Sequence, residues 1–281
     1  MDEAGILYLC ATPIGNLEDI TLRVLKTLKE VDLVAAEDTR RTVNLLNHFQ
    51  IKTPIISYHE HNKEKRGREI IEKLLAGHKI ALVADAGTPG ISDPGFELIQ
   101  ESIHRGIKIT SLPGPCAAVT AVTVSGFTIN RFVFYGFLSR KKKDRRREIE
   151  EIIESNKTVV IYEAPHRLLK TLKELLEAAG DRDAAVCREL SKLFEEVKRG
   201  SLSQLIHDFE VKAPKGEITL IIGANKEAVI CSRGSLTQGV EEVRQLKEAG
   251  LKEKEAVKRT AKYLNLPSRE LYKKVIEEKE G

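Results

Sequence analysis

The stretch from Lys79 to Gly95, KIALVADAGTPGISDPG, runs an apolar segment, Ile80 to Ala84, into Asp85 and then into a loop holding Gly87, Pro89, Gly90, Pro94 and Gly95. A buried strand that ends in such a loop, with the amphipathic segment Phe96 to Ile103 behind it, presents backbone N–H and C=O groups at the carboxyl edge of a sheet. Open α/β folds bind nucleotide-like ligands there. Glycine admits a ligand close to the main chain, and proline holds the loop in shape beforehand. The design occurs twice more. Ile6 to Ala11 leads into Thr12-Pro13-Ile14-Gly15-Asn16, and Ile107 to Leu112 leads into Pro113-Gly114-Pro115-Cys116-Ala117-Ala118. Three such loops within the first 120 residues imply one crevice lined by backbone. None is a dinucleotide fingerprint or a P-loop, so nothing here cradles a triphosphate. Polar groups stand where other apolar runs end: Glu37-Asp38-Thr39-Arg40-Arg41-Thr42, Glu163-Ala164-Pro165-His166-Arg167, and Arg188-Glu189-Leu190-Ser191-Lys192. Their carboxylates, amines and guanidinium groups line the same crevice or its rim.

The elements that position these groups can be read from periodicity. Apolar strands near 6–11, 32–36, 55–58, 80–84 and 107–112 alternate with helical patterns near 19–30, 40–49, 63–76, 95–105 and 116–124. That alternation predicts a mostly parallel sheet with helices on both faces over residues 1–125. Residues 126–226 read as a mixed α/β domain. Its strands lie at Phe132–Tyr135, Thr158–Tyr162, Ala184–Leu190, Glu195–Arg199 and Glu217–Ile222, and its helices near 143–155 and 165–179. Strands in adjacent succession predict antiparallel pairing there. Residues 235–281 carry helical spacing alone, with Gly250 closing the first helix and Asn265-Leu266-Pro267-Ser268 separating the second from the third. Three short helices with a tight turn before the last fit a helix-turn-helix-like module or a plain helical cap, and both readings stand.

The bulk numbers agree with a soluble α/β enzyme. Of 281 residues, 41% are hydrophobic and 31% charged, and the net charge of +4 permits a nucleic-acid partner without requiring one. Cys10, Cys116, Cys187 and Cys231 are dispersed without a C-x-x-C, which predicts a reducing, cytoplasmic setting and no zinc. His59 and His61 lack a third ligand, so no metal is expected. Nor is a membrane span, since no run approaches eighteen apolar residues.

Taken together, ATPIGNLEDIT, AAEDTRRT, DAGTPGISDPG, PGPCA, YEAPHRL, CRELSKLFEEVKRG and KGEITLIIG resemble one family, in order and spacing over residues 5–224. It is the tetrapyrrole-methylase-like (class III) S-adenosylmethionine-dependent methyltransferases, in the branch that modifies ribosomal RNA. The resemblance implies two α/β domains with the cofactor in the cleft between them, and a homodimer. It also implies methyl transfer to the ribose 2′-hydroxyl of a cytidine in small-subunit (16S) ribosomal RNA. Carried over by position, Pro13, Ile14, Gly15, Ala86, Gly87, Thr88, Ile91, Cys116, Ala117 and Glu163 fall at S-adenosylmethionine contacts. Thr88 stands where the tetrapyrrole branch has Asp, and the first loop lacks that branch's glycine-rich form. Both departures shift weight from a porphyrinoid substrate to RNA.

The residue chemistry agrees. A sulfonium is cationic, and the three loops contain no Lys or Arg, while Asp85 and Asp93 flank the central one. RNA needs the opposite sign. Arg140-Lys141-Lys142-Lys143-Asp144-Arg145-Arg146-Arg147 supplies seven basic residues in eight at a helix start, where acidic residues would be favoured. Lys141, Lys142, Arg145 and Arg146 are therefore expected to contact RNA, with Arg40, Arg41, His166 and Arg167 as further candidates. Deprotonating a 2′-hydroxyl calls for a carboxylate or an amine within reach. Glu37, Asp38, Glu189 and Lys192 are the candidates, and their spacing does not rank them. The competing readings are a same-fold methyltransferase acting on a tetrapyrrole or corrinoid precursor or on a protein side chain, and a non-enzymatic RNA-binding module.

Overall fold

The computed structural model describes residues 5–225, 235–248, 251–264 and 266–280; Cys231, Gly250 and Asn265, named above, lie outside them. Two compact units are present, one comprising Met1–Ile149 with Thr158–Gly223 and the other Glu150–Lys157 with Ala224–Gly281.

The first unit contains two five-stranded sheets. In the first sheet β1 (Ile6–Cys10), β2 (Leu33–Ala36), β3 (Ile55–Ser57), β4 (Lys79–Val83) and β5 (Lys108–Leu112) are all parallel, in the order β3-β2-β4-β1-β5. The central strands β2 and β4 are buried on both faces by helices, and the edge strands β3 and β5 only in part. The period-two alternation divides β4 cleanly. Ala81 and Val83 pack with α1 (Leu22–Glu30) and α2 (Thr39–His48). Ile80 and Leu82 pack on the other face with α3 (Lys63–Leu75) and α4 (Phe96–His104). Thr21 and Asp38 cap α1 and α2 with their side chains, which is why both helices start where the strand-end loops need to turn. The strand order places the loops after β2, β4, β1 and β5 side by side along one edge.

The second sheet is mixed, in the order β6-β7-β10-β8-β9. Here β6 (Phe132–Phe137) and β7 (Thr158–Glu163) are parallel, and β10 (Ile218–Ile222) inserts antiparallel between β7 and β8 (Asp183–Arg188). β8 pairs antiparallel with β9 (Glu196–Ser201). Helix α5 (Ala117–Ser125) follows β5 in the chain but lays Ala118, Ala121 and Val122 on Val160, Ala185 and Ile221 of this second sheet. Helices α6 (Lys142–Glu154) and α7 (Pro165–Ala179) fall where the periodicity placed them. Helix α8 (Leu202–Val211) was not anticipated between the last two strands. Its signal was the capping box formed by Ser201 and Gln204. Because α8 intervenes, β9 and β10 are not neighbours.

In the second unit α9 (Leu236–Glu248), α10 (Glu253–Tyr263) and α11 (Ser268–Glu280) pack on one another around Val243, Ala256, Val257, Ala261, Leu271 and Val275. Among the described residues no helix is long and apolar enough to cross a membrane.

Candidate active site

The strand-end loops of the first sheet are tied to one another. Thr12 and Gly87 exchange both backbone hydrogen bonds at 2.9 Å, and the Thr12 hydroxyl donates to Ala84 O at 3.1 Å. Thr88 Oγ1 donates to Pro115 O at 3.1 Å, and Asp38 N donates to Asp85 Oδ1 at 2.9 Å. Gly87 sits at φ +85°, a conformation that favours glycine. The expectation that Gly87 offers bare backbone groups to a ligand is thus corrected: Thr12 occupies both.

Between these loops and the second sheet lies a cleft of about 420 Å³, within the usual range for small-molecule sites. Eight of the ten residues expected at the cofactor line it: Ile14, Ala86, Gly87, Thr88, Ile91, Cys116, Ala117 and Glu163. Pro13 and Gly15 are outside the lining, and Gly15 instead lies against the Lys192 stem and Leu190 O. From the second sheet come Phe137, Tyr162 and Cys187, together with Leu190 and the segment Gly216–Thr219. Tyr162 is held by Ala118 N–H, which donates to its hydroxyl at 3.1 Å.

The cleft is acidic. Glu37, Asp85 and Asp93 face it, with Arg41 3.5 Å from Asp85 Oδ2. Burial, reinforced by Glu37 and Asp85, pushes the Asp93 carboxyl up to about 7. The Glu37 carboxyl is likewise raised, by burial first and then by Asp85, and its Oε2 is buried without a hydrogen-bond partner. Three carboxylates beside one guanidinium favour a cation.

The other proton-acceptor candidates are committed elsewhere. Asp38 caps α2, and its hydrogen bonds from Arg40 hold the carboxyl down to about 2, which makes it a weak base. Glu189 accepts from Glu217 N at 2.8 Å and from Lys192 Nζ at 2.9 Å. Burial opposes ionisation of Glu189, yet those two donors outweigh it and its carboxyl lies below the ordinary range. Lys192 also reaches Glu217 Oε2 at 3.1 Å. Desolvation of its ammonium is outweighed by these two carboxylates, so it stays protonated. Neither Glu189 nor Lys192 lines the cleft.

Among the basic candidates, Arg40 is exposed and paired with Asp38, while Lys141, Lys142, Arg146 and His166 are exposed. Two candidates are corrected. Arg145 points inward, its side chain 8% exposed, with Nε and Nη2 on Glu174 Oε2 at 2.8 and 2.7 Å and Nη2 on Thr171 Oγ1 at 2.8 Å. Arg167 is also drawn in, with Nε 3.3 Å from Glu163 Oε1 and Nη2 donating to Leu138 O at 2.9 Å. Both arginines serve the buried Glu163 carboxylate, whose charge must be compensated once it leaves water. Glu163 also accepts from the Thr171 hydroxyl and from Ala164 N–H. Asp93, singled out by the sequence together with Asp85 as flanking the central loop, lines the cleft, whereas Tyr162, which ends an apolar run, was not anticipated there. Among the described residues no group of three His, Cys, Asp or Glu is placed to hold a metal ion.

A parallel sheet whose strand-end loops face a second, mixed sheet across an acidic, partly apolar cleft defines a class of enzyme that binds a small cationic molecule between two α/β layers. The pattern of the family described as Tetrapyrrole (Corrin/Porphyrin) Methylases matches residues 7–206, and the chain belongs to that family. A relative from Halalkalibacterium halodurans, ribosomal RNA small subunit methyltransferase I, is 47% identical over 274 residues, covering 96% of this chain and 94% of its own. A relative of the same name from Thermotoga maritima is 50% identical over 222 residues, 79% of this chain and 100% of its own. The crystal structure of a cobalt precorrin-4 methyltransferase shares the fold, with TM-score 0.60 and 16% identity over 78% of this chain and 94% of that one. The protein is a methyltransferase that uses S-adenosylmethionine. The donor set fits the cofactor: Asp85, Asp93 and Glu37 suit a sulfonium, and Ile14, Leu190 and Ile218 give an apolar wall.

Proposed function

We propose that this enzyme methylates the ribose 2′-hydroxyl of a cytidine in small-subunit ribosomal RNA. The observation that carries the reading is a reversal of charge over a short distance. The cleft is acidic, while the exposed Arg140, Lys141, Lys142 and Lys143 follow almost directly on Phe137, which lines it. An acidic cleft holds a cationic methyl donor, and a basic rim holds phosphates. The names of the relatives point the same way.

S-adenosylmethionine supplies an activated methyl group on a cationic sulfur. The chain's own work is alignment and proton removal. Asp85 and Asp93 stabilise positive charge in the cleft, and Glu37, the one proton-acceptor candidate in the lining, takes the hydroxyl proton on its carboxylate. A raised carboxyl affinity for protons makes Glu37 a better base than an ordinary glutamate.

The active form is a homodimer in the cytoplasm. Leu17 and Leu22 on one segment, and Leu193 and Phe194 on another, are exposed apolar side chains. The two segments are joined by the Ser191 hydroxyl donating to Asp19. Light scattering on the purified chain gives the assembly state directly. The activity itself is tested by tritiated methyl transfer to unmethylated small subunits and to their naked RNA, with mass mapping of the modified nucleotide. Label on a base, or transfer only to a tetrapyrrole precursor or a protein, would refute the reading.

A further inference from the structure

Strand β6 carries an irregularity with a consequence for the acceptor. Phe134 pairs with Val160, Gly136 with Ile161 and Phe137 with Tyr162, so Tyr135 is an extra residue in a β-bulge. In an unbroken strand Phe134 and Phe137, three apart, would point to opposite faces. The bulge cancels one step of that alternation and returns Phe137 to the face of Phe134, since their partners Val160 and Tyr162 are two apart. Both rings then meet Tyr162, at centroid distances of 4.9 Å for Phe134 and 5.6 Å for Phe137. Gly136 makes the bulge possible: its φ is +65°, and a Cβ there would lie 2.7 Å from Ser92 Oγ of the central loop. On the far side, the Arg167 guanidinium pins Leu138 O.

The outcome is an aromatic side chain that lines the cleft, is backed by another ring, and remains 55% exposed. Burial does not account for so costly a position, and the exposed Arg140–Lys143 segment begins three residues on. An aromatic face beside cationic side chains is the arrangement that holds an unstacked base with its phosphates nearby. Resting on the RNA reading above, we propose that Phe137 is a stacking platform for a nucleobase of the acceptor strand, splayed from its neighbours so that the ribose hydroxyl can enter the cleft. Stacking is tolerant of base identity, so Phe137 sets the geometry of presentation rather than the choice of cytidine.

The chain contains no tryptophan, so Phe137→Trp installs a single fluorescent reporter at the proposed platform. Single-stranded oligocytidine and unmethylated small-subunit RNA are expected to quench it, saturably. Phe137→Ala should raise KM for the RNA on the order of tenfold, change the calorimetric affinity for S-adenosylmethionine far less than that, and unfold at the wild-type temperature. Phe137→Trp should restore KM, and Phe137→Leu should not. Unquenched tryptophan, an unchanged KM in the alanine variant, or full rescue by leucine would overturn the platform. So would a parallel loss of cofactor affinity, which would assign the ring to the cofactor. Wild-type enzyme that transfers no methyl to RNA, while RNA still quenches the Phe137→Trp variant, would refute the RNA methylation reading and leave the platform standing.

Discussion

Replacing Arg145 by methionine separates the two roles a residue in a basic run can have. Methionine keeps most of the apolar stem against its neighbours and removes the charge and the bonds to both partners. The loss comprises the bonds to Glu174 Oε2 at 2.7 and 2.8 Å and to Thr171 Oγ1 at 2.8 Å, and a guanidinium 4.0 Å from the fully buried Glu163 carboxylate. Breaking a buried ion pair by deleting one partner costs about 3–5 kcal/mol. Two features place this case at the lower end. Arg167 still faces Glu163 at 3.3 Å, and Arg145 Nη1 is itself buried without a partner, so its removal recovers some desolvation. A destabilisation of about 3 kcal/mol is expected, or about 6–12 °C in Tm for a body of this size. The assay is thermal and urea unfolding of Arg145→Met beside Lys141→Ala and Lys142→Ala, whose exposed side chains should move stability by less than about 0.5 kcal/mol. The exposed pair should instead flatten the dependence of RNA affinity on salt. Arg145→Met that is as stable as wild type yet has a shallower salt slope would refute the inward placement.

The pH dependence of cofactor affinity follows from Asp93. Its carboxyl, raised to about 7 with Glu37, Asp85 and Arg41 around it, is protonated below that pH and ionised above it. A cation prefers the ionised form, so S-adenosylmethionine binding should tighten as pH rises through about 7, by at most about tenfold per unit; calorimetry from pH 5.5 to 8.5 checks this, and Asp93→Asn should flatten the curve. The stability sign is opposite: between the ordinary carboxyl value and about 7 the folded state holds a proton the unfolded chain has lost, so the unliganded protein should lose stability over that window. Gly87→Val should abolish cofactor binding through strain at φ +85°, because a Cβ itself would make only ordinary contacts, 3.5 Å to Ile14 and 3.7 Å to Pro115; unchanged calorimetric affinity would show that the central loop tolerates it. A chain ending near residue 230 should fold and bind S-adenosylmethionine as before, since every cleft residue precedes Gly223 and the Thermotoga relative is matched along its whole length by 79% of this chain. Its methyl transfer to small subunits should fall, and full activity would reduce the helical tail to a cap.

Much of the fold was legible because the central strands of the first sheet are buried on both faces and nearly free of charge. The Pro/Gly loops could be assigned to one crevice because parallel strands all deliver their ends to the same edge. What could not be read was which groups are already spent. The amide of Gly87 looks available until Thr12 pairs with it. Asp38 looks like a base until it caps its own helix. Arg145 is indistinguishable from its neighbours by composition, yet it stands four residues before Ile149 and seven before Ile152, both buried. That spacing puts it on the inward stripe of the helix. Gly136 in the interior of a strand was a comparable signal, since glycine there commonly marks a bulge. At Asp38 the deciding partner, Arg40, is two residues away; in the other cases it was distant in sequence.

The two sides of the site differ in how much order they hold before any ligand arrives. On the cofactor side the loops are braced by the Thr12–Gly87 pair, the Thr88–Pro115 bond and the Asp38–Asp85 bond, and Tyr162 is fixed by Ala118 N–H. Little conformational entropy is left to lose there, so binding energy can be spent on holding a charged donor in one pose. On the RNA reading proposed above, the acceptor side is built from Lys141, Lys142 and their exposed neighbours, long solvated side chains. Those supply attraction and tolerance, which a large RNA surface needs, but they cannot align a single hydroxyl to the fraction of an ångström that in-line transfer demands. On that reading alignment has to come from a rigid element, and the bulged end of β6, where Gly136 leaves no room for a side chain beside Ser92 and Arg167 holds Leu138 O, is the element the proposal assigns to it.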